Sequence, residues 1–472
     1  MEQKTMIRDQ LAAYLAEQGM SINQFAVRSG INSGTLSRII TGQQSIAMSH
    51  LELITEGMGK TQDFFYSLYV DECLYYSVPT WRRLRPFIMS CAALNRLDCI
   101  EQIVQTLLDN LTYAPMLFDT AEELFKLGQW QAAALLYENV SASEKYQYSE
   151  RLAICQYRLF KIALGEDQNK NLRAAILFEC YVYKLDEADQ LDALKDLAHV
   201  FSSLHQWDKV EEISENLCRI ATLQYELSIH SNKKRETTRK SSRPVYGYIL
   251  YSYLLRSLVF DEIGDYKTAL YYVSKYADGT WIEDKSEEAV QLIGQFKEWA
   301  TANSLLYRLM AGQREVLDDY VAFISTKEEE IYLAMLRILQ AANKYSWNVD
   351  HILSRFEINT SYQVQTGYFG NHNQQMSADR HAGFLFELAT YYLFHNLPDG
   401  IMFLLQSLKF CTRINSQSNI IKCVDMFEQY RYRATEEEEK QYKSLINEVR
   451  TQNDKKNVVV FPTTMQHVYL NN

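Results

Sequence analysis

The residues best equipped for chemistry lie in S-I-N-Q-F-A-V-R-S-G-I-N-S-G-T-L-S-R-I-I-T-G, residues 21–42. If Leu36 and Ile39 turn inward, Ser33, Thr35, Ser37 and Arg38 share the exposed face of one helix. Short hydroxyl donors beside one guanidinium fork suit base edges and phosphates in a major groove. The flanking elements are readable from their own signals. Ser21 and Gln24 have the spacing of a capping box, which predicts a short helix over Ile22–Ser29. Gly30 can take the positive φ of the tight turn after that helix. Asn32 or Ser33 then caps a helix running to about Thr41, where Gly42 stops it. Ala26, four residues before Gly30, lets the two helices cross closely, with Phe25, Ile31, Leu36 and Ile39 on the inner face. Upstream, Ile7, Leu11, Tyr14 and Leu15 recur at helical spacing as far as Gly19. Downstream, Leu51, Leu53 and Ile54 begin a fourth helix, and Phe64, Phe65 and Leu68 are the apolar residues of a fifth.

No comparable set of residues marks a reaction centre. The nine His include no H-E-x-x-H and no pair at i, i+4. There is no phosphate-binding glycine loop, dinucleotide fingerprint or nucleophile elbow. Glu122-Glu123, Asp261-Glu262 and Glu287-Glu288 read as solvated helix faces, and His199 and His381 as ordinary helix residues. The eight Cys contain no C-x-x-C, so buried reduced thiols are expected, with Cys155, Cys180, Cys218 and Cys423 inside helical patterns. No catalytic residue, metal ligand or cofactor is expected.

Composition agrees with a helical protein. Gly is 17 and Pro 6 of 472 residues, against about 7% and about 5% in ordinary chains. Such scarcity argues against sandwiches, barrels and disordered chains. The net charge of −11 excludes a globally basic nucleic-acid binder and leaves room for a local DNA-reading module. The first residues lack the apolar run of a signal peptide, and no stretch approaches 18 uninterrupted apolar residues. A cytoplasmic, all-α protein is expected, with no membrane partner.

Residues 21–42 resemble the Cro/C1-type (xenobiotic-response-element) helix-turn-helix family. L-E-L-I-T-E-G-M-G-K-T-Q-D-F-F, residues 51–65, is similar to that family's closing helices. The resemblance implies that Ser33, Thr35, Ser37 and Arg38 read DNA, with Asn32 and Arg28 beside them. Ile22 stands where the family often has a phosphate-contacting Gln, and Ile40 where it often has Glu. Residues 1–60 balance five basic residues against five acidic ones. Counterion release per monomer is therefore small, and useful affinity calls for a homodimer on a pseudo-palindromic operator.

Beyond a connecting segment at 71–87, the chain adopts a repeating style. Turns recur at Arg96-Leu97, Gly128, Gly165, His205, Gly264, Gly312, near Lys344-Tyr345 and at Asn396. Before them, apolar and small residues fall at fixed offsets: Leu117, Ala121 and Leu124; Leu194, Leu197, Ala198 and Phe201; Leu385, Leu388, Ala389 and Tyr392. Ala133 and Ala269 come after their turns. A helix-pair repeat needs about 34 residues, so these are degenerate units with insertions. The offsets resemble the tetratricopeptide pattern, implying a right-handed superhelical array of helix pairs over residues 88–450. A basic insertion at 231–244 and a polar one at 359–379 read as loops. Residues 451–472 form a tail in which Val458-Val459-Val460-Phe461-Pro462 stands out.

A DNA-reading head, residues 1–70, joined to such an array resembles the peptide-pheromone-responsive regulators of Gram-positive bacteria, the RRNPP group. That resemblance implies a homodimer whose promoter binding changes when a short signalling peptide enters the array. It also points to Asn303, Tyr253, Arg256 and Tyr307 as peptide-binding residues. The alternative is an interaction scaffold, or a receptor that sequesters a response regulator, with a dispensable head.

Overall fold

The computed structural model describes residues 6–76, 78–107, 110–144, 149–230, 241–325, 331–356, 362 and 374–457, without the side chains of 230, 374–376 and 453–457. Among the described residues all regular structure is helical. The chain packs as two compact units, Met1–Ile162 and Ala163–Asn472.

The first unit begins with α1 (Ile7–Glu17), α2 (Ile22–Ser29), α3 (Ser33–Ile40), α4 (Met48–Gly57) and α5 (Tyr66–Leu74). It continues through α6 (Trp81–Ala93), α7 (Leu97–Leu107), α8 (Ala114–Lys126), α9 (Trp130–Glu144) and α10 (Glu150–Ala163). The inner face of α5 is Tyr66, Tyr69, Val70 and Cys73, all buried. Phe65 is buried as expected, but Phe64 is exposed and Leu68 only half-buried.

Residues 71–87, expected as a connection, are part of the packing. The Tyr69 hydroxyl and Arg83 Nε both donate to the Ile46 carbonyl, at 2.8 and 3.2 Å. The Phe87 ring meets those of Tyr66 and Tyr69 edge-on. Arg96 reaches the Asp63 carboxylate at 3.0 Å and the Ser67 hydroxyl at 3.0 Å, while also holding Asp98 at 2.7 Å. Arg83 thus ties the chain just before α4 to α6, and Arg96 ties the α4–α5 corner to the start of α7.

The second unit runs α11 (Gln168–Glu179), α12 (Glu187–Ser203), α13 (Trp207–His230), α14 (Val245–Glu262), α15 (Tyr266–Ala277), α16 (Glu287–Met310) and α17 (Leu317–Ile324). It then runs α18 (Ile331–Tyr345), α19 (Asp350–Arg355), α20 (Gln374–Phe394), α21 (Gly400–Arg413), α22 (Gln417–Tyr430) and α23 (Glu436–Asn457). Neighbours in sequence pack on one another, α12 on α13, α13 on α14, α14 on α15 and α20 on α21. In both units the residues at repeat offsets are buried, with Leu117, Ala121, Ala133, Ala198, Ala269, Leu388 and Ala389 no more than 1% exposed. Left-handed residues close the turns read from sequence: Asn95, Gly128, His205, Gly264, Gly312, Ser346 and Asn396. At Gly165 the Asn171 amide serves instead, accepting from its N–H at 3.0 Å and donating to its carbonyl at 2.8 Å.

Several expectations are revised. Residues 374–379 of the polar insertion belong to α20, and 451–457 continue α23. Residues 231–240 of the basic insertion, and Val458–Pro462, lie outside the described residues. The pair Asp261-Glu262 is not a solvated face. Asp261 is buried against Arg337, whose Nη1 also donates to Glu262 at 3.0 Å.

A stack of repeats touching only nearest neighbours also lacks what joins the two ends of this unit. The Gln168 N–H donates to the Ile414 carbonyl at 2.8 Å, and the Asn415 amide donates to Asp167 at 2.7 Å. Arg413 pairs with Glu166 at 3.0 Å. Asp379 Oδ1 accepts from Gln168 Nε2 at 3.0 Å and Asn419 Nδ2 at 3.3 Å, and Asp379 Oδ2 lies 3.2 Å from His205 Nε2. Helix α12 packs on α20, so the helices around 167–205 meet those around 379–419.

Burial pushes the Asp261 carboxyl up to about 6, outweighing the attraction of Arg337. Its folded pKa lies above the ordinary 3.8, so the folded chain holds this proton more tightly than the unfolded chain. The stability contributed by that binding is full below about pH 4 and is lost as pH rises through about 6. In thermal melts between pH 4 and pH 6, wild type should therefore lose stability relative to Asp261→Asn as pH rises. A pH-independent difference between the two proteins would contradict this titration.

Candidate nucleic-acid interface

The helix-turn-helix segment is built from local hydrogen bonds. Ser21 Oγ accepts the Gln24 N–H at 3.3 Å, and Gln24 Oε1 accepts the Ser21 N–H at 2.8 Å. This reciprocal box starts α2 by satisfying amides that the helix itself cannot reach. Gly30 ends α2 at φ 73°, a conformation that costs a side-chain-bearing residue about 1–2 kcal/mol. Asn32 is the cap of α3, its Oδ1 accepting from Gly34 at 2.9 Å and Thr35 at 3.4 Å.

Beneath α3, Leu36 and Ile39 are at most 1% exposed, and Phe25 and Ile31 pack with them in the core. The opposite face holds the groups expected there. Arg38 is exposed, and Ser33, Thr35 and Ser37 are half-buried. Arg38 Nη2 donates to Thr35 Oγ1 at 3.4 Å, which brings the guanidinium over the middle of the face. Arg28 is exposed in the last turn of α2. Asn32 is exposed too, but with Oδ1 engaged as the cap its free capacity is the Nδ2 donor, suited to an acceptor such as a phosphate oxygen.

Sequence reasoning stopped at Gly42 and missed the two glutamines after it. The N–H groups of Gln43 and Gln44 both donate to the Arg38 carbonyl, at 2.8 and 3.1 Å. The chain folds back on α3, setting two amide side chains, Gln43 exposed and Gln44 half-buried, beside the polar face. A glutamine pair directly after a helix-stopping glycine was the available signal. Arg8 was also missed. Its Nη1 lies where a Cβ at Gly42 would fall, so the glycine admits a cation to the C-terminal end of α3, where helix carbonyls favour positive charge.

The four residues proposed for peptide contact fall into two groups. Tyr253 stacks on Tyr272 with centroids 6.2 Å apart, and the Arg256 guanidinium lies 4.6 Å from the same ring while bonding Glu211. Asn303 Nδ2 donates to the Tyr276 hydroxyl at 2.9 Å, and the Tyr307 hydroxyl is 3.1 Å from Ser257 Oγ. Tyr307 is 2% exposed. Its ring is a core residue rather than part of an open groove, because its helix turns that face toward α14. Asn303, Tyr253 and Arg256 remain partly accessible.

No described helix is long and apolar enough to cross a membrane, and no metal-holding group of His, Cys, Asp or Glu occurs among the described residues. No curated protein and no solved structure matches the chain. A helix-turn-helix family model matches residues 11–64, the stretch from the second half of α1 through α4, so the polar face of α3 lies within a helix-turn-helix domain.

Proposed function

We propose that the chain is a DNA-binding transcriptional regulator whose promoter binding is controlled by a short peptide held in the second unit. The observation that carries the DNA reading is α3. Its inner residues Leu36 and Ile39 are fully packed while Arg38, Thr35, Ser37 and Ser33 are turned outward on a capped, rigid helix. Pre-positioned donors of this kind lose little entropy on binding, so their hydrogen bonds to bases count almost in full.

The near-neutral head supports a homodimer on a pseudo-palindromic operator, with half-sites about 34 Å apart. Control by a peptide rests on the repeat offsets, whose small and large residues are those of a tetratricopeptide-like array, and on partly accessible aromatic and amide side chains in the second unit. The working place of such a regulator is the cytoplasm, and the reading involves no catalytic step.

Selection of full-length protein on a random duplex pool should enrich a two-fold sequence with that spacing. Failure to enrich any sequence would overturn the DNA reading. Arg38→Ala should weaken binding to the selected duplex by about 1–3 kcal/mol if the guanidinium meets a base. A gel-shift titration equal to wild type would remove Arg38 from the interface. Light scattering should give a dimer, and a monomer both alone and on the duplex would exclude the symmetric assembly.

A further inference from the structure

Helices α18 and α20 pack side by side, and each carries a polar group without a match among the described residues. On α20 the group is Arg380. No hydrogen bond or ion pair joins it to a described residue, although charges lie close by. The neighbouring carboxylates are already engaged. Asp379 accepts from Gln168 and Asn419 and faces His205, and Glu262 accepts from Arg337. Arg337 itself repels Arg380.

Arg380 keeps part of its surface open to solvent, yet burial draws its pKa below the ordinary arginine value. Arg380 thus combines a partly exposed side chain with surroundings that make its charge costly.

Two turns further along the same face of α20 stands Glu387, partly accessible, with its pKa raised by burial. It accepts from Asn343 Nδ2 of α18 at 2.7 Å. The other end of that amide, Asn343 Oδ1, is buried with no hydrogen-bond partner. Between Arg380 and Glu387 the same face carries Gly383, where a Cβ would meet only Leu336, at 3.9 Å. Phe384, on the other side of that stripe, packs on Tyr332 of α18, so the stripe is open only along its Gly383 edge. Its ends are separated by seven helical residues, about 10 Å, or roughly three residues of extended chain.

Native proteins leave few buried donors and acceptors unmatched, and an uncompensated charge is the costliest kind. A guanidinium seeking an oxyanion and an amide oxygen seeking an N–H, spaced by a few peptide units, describe a peptide end. We propose that the track between α18 and α20 is a ligand site in which Arg380 takes a carboxylate of a short extended peptide and Asn343 Oδ1 accepts one of its backbone N–H groups. The proposal rests on the peptide reading above and assigns it a location and a chemistry. The planar guanidinium pairs with a carboxylate through two parallel hydrogen bonds, and the bare Gly383 leaves room for the peptide backbone.

The test uses the full chain. Thermal melts in sodium acetate and in sodium chloride at equal ionic strength compare wild type with Arg380→Met. Acetate should raise the wild-type midpoint more than the variant's. In chloride the variant should melt no lower than wild type, because an unmatched charge gives way to an apolar chain of similar length. A pool of random heptapeptides with free carboxyl termini, labelled at the other end, should bind wild type about tenfold more tightly than it binds Arg380→Met. Gly383→Leu, which fills the middle of the track and leaves Arg380 in place, should weaken the pool as well.

Amidating the pool's carboxyl termini separates the two sources of carboxylate. Loss of the wild-type advantage assigns the terminal group, and an advantage that vanishes only when Asp and Glu are omitted assigns a side chain. An equal acetate increment in both proteins, or pool binding unaffected by either substitution, overturns the site while leaving the peptide reading in place. A pool that binds neither protein, together with an acetate increment confined to wild type, overturns the peptide reading and with it the peptide as the occupant.

Discussion

Much of the second unit hangs on one carboxylate. Asp379 gathers Gln168, His205 and Asn419, residues that arrive from opposite ends of more than 200 residues of helical chain. A row of helix pairs has no intrinsic reason to join its ends, since each pair is satisfied by its neighbours. Here the joint is made of polar groups and is largely withdrawn from water. Hydrogen bonds to a charged acceptor are the stronger kind, and a buried carboxylate left unmatched is expensive. Burial lowers the affinity of His205 for a proton, but the Asp379 hydrogen bond and charge more than restore it. The joint therefore gathers charge as well as hydrogen bonds.

The same economy governs the neighbouring ion pairs. Arg337 is consumed by Asp261, Glu262 and Gln340, and Arg256 by Glu211 and the Tyr272 ring. These pairs fix their helices in register although Asp261 Oδ1, Arg337 Nε and Glu211 Oε2 stay without hydrogen-bond partners, and the stability gained over apolar packing is small. In the first unit, Arg83 and Arg96 play the corresponding part by fastening the chain before α4 to α6 and the corner after α4 to α7. The reading helix is therefore held on a frame that includes more than its own motif.

The helix-turn-helix segment was legible because its signals are local. A capping box, a left-handed glycine and a helical spacing each act within four residues, and all three occur where the sequence indicated. The repeat turns were legible for the same reason, even where Asn95, His205, Ser346 or Asn396 replaces glycine. The buried state of Asp261 and the joint at Asp379 were not legible, because each depends on partners dozens to hundreds of residues away. Helical periodicity gives the side on which Asp261 lies and says nothing of whether an arginine waits there. Tyr307 failed as a groove residue on the same ground: its helix was read correctly, and its facing neighbour was not. Gln43 and Gln44 were missed through a narrower cause, since a helix-stopping glycine marks where α3 ends and not the direction in which the chain returns.

The joint also sets an order of events at the ribosome. Domains form as units, amino-terminal first, while the chain emerges at roughly 5–20 residues per second. Every residue of the first unit, the reading helix included, is made before the second unit has begun. Asp167 and Gln168 must then wait for Asn415, 248 positions after Asp167, roughly 12–50 seconds at that pace. In that interval the helices from α11 onward can pair only with their sequence neighbours, leaving the partners of Asp379 in water. A chain stalled or cut in this span carries a finished DNA-reading head on an unclosed second unit.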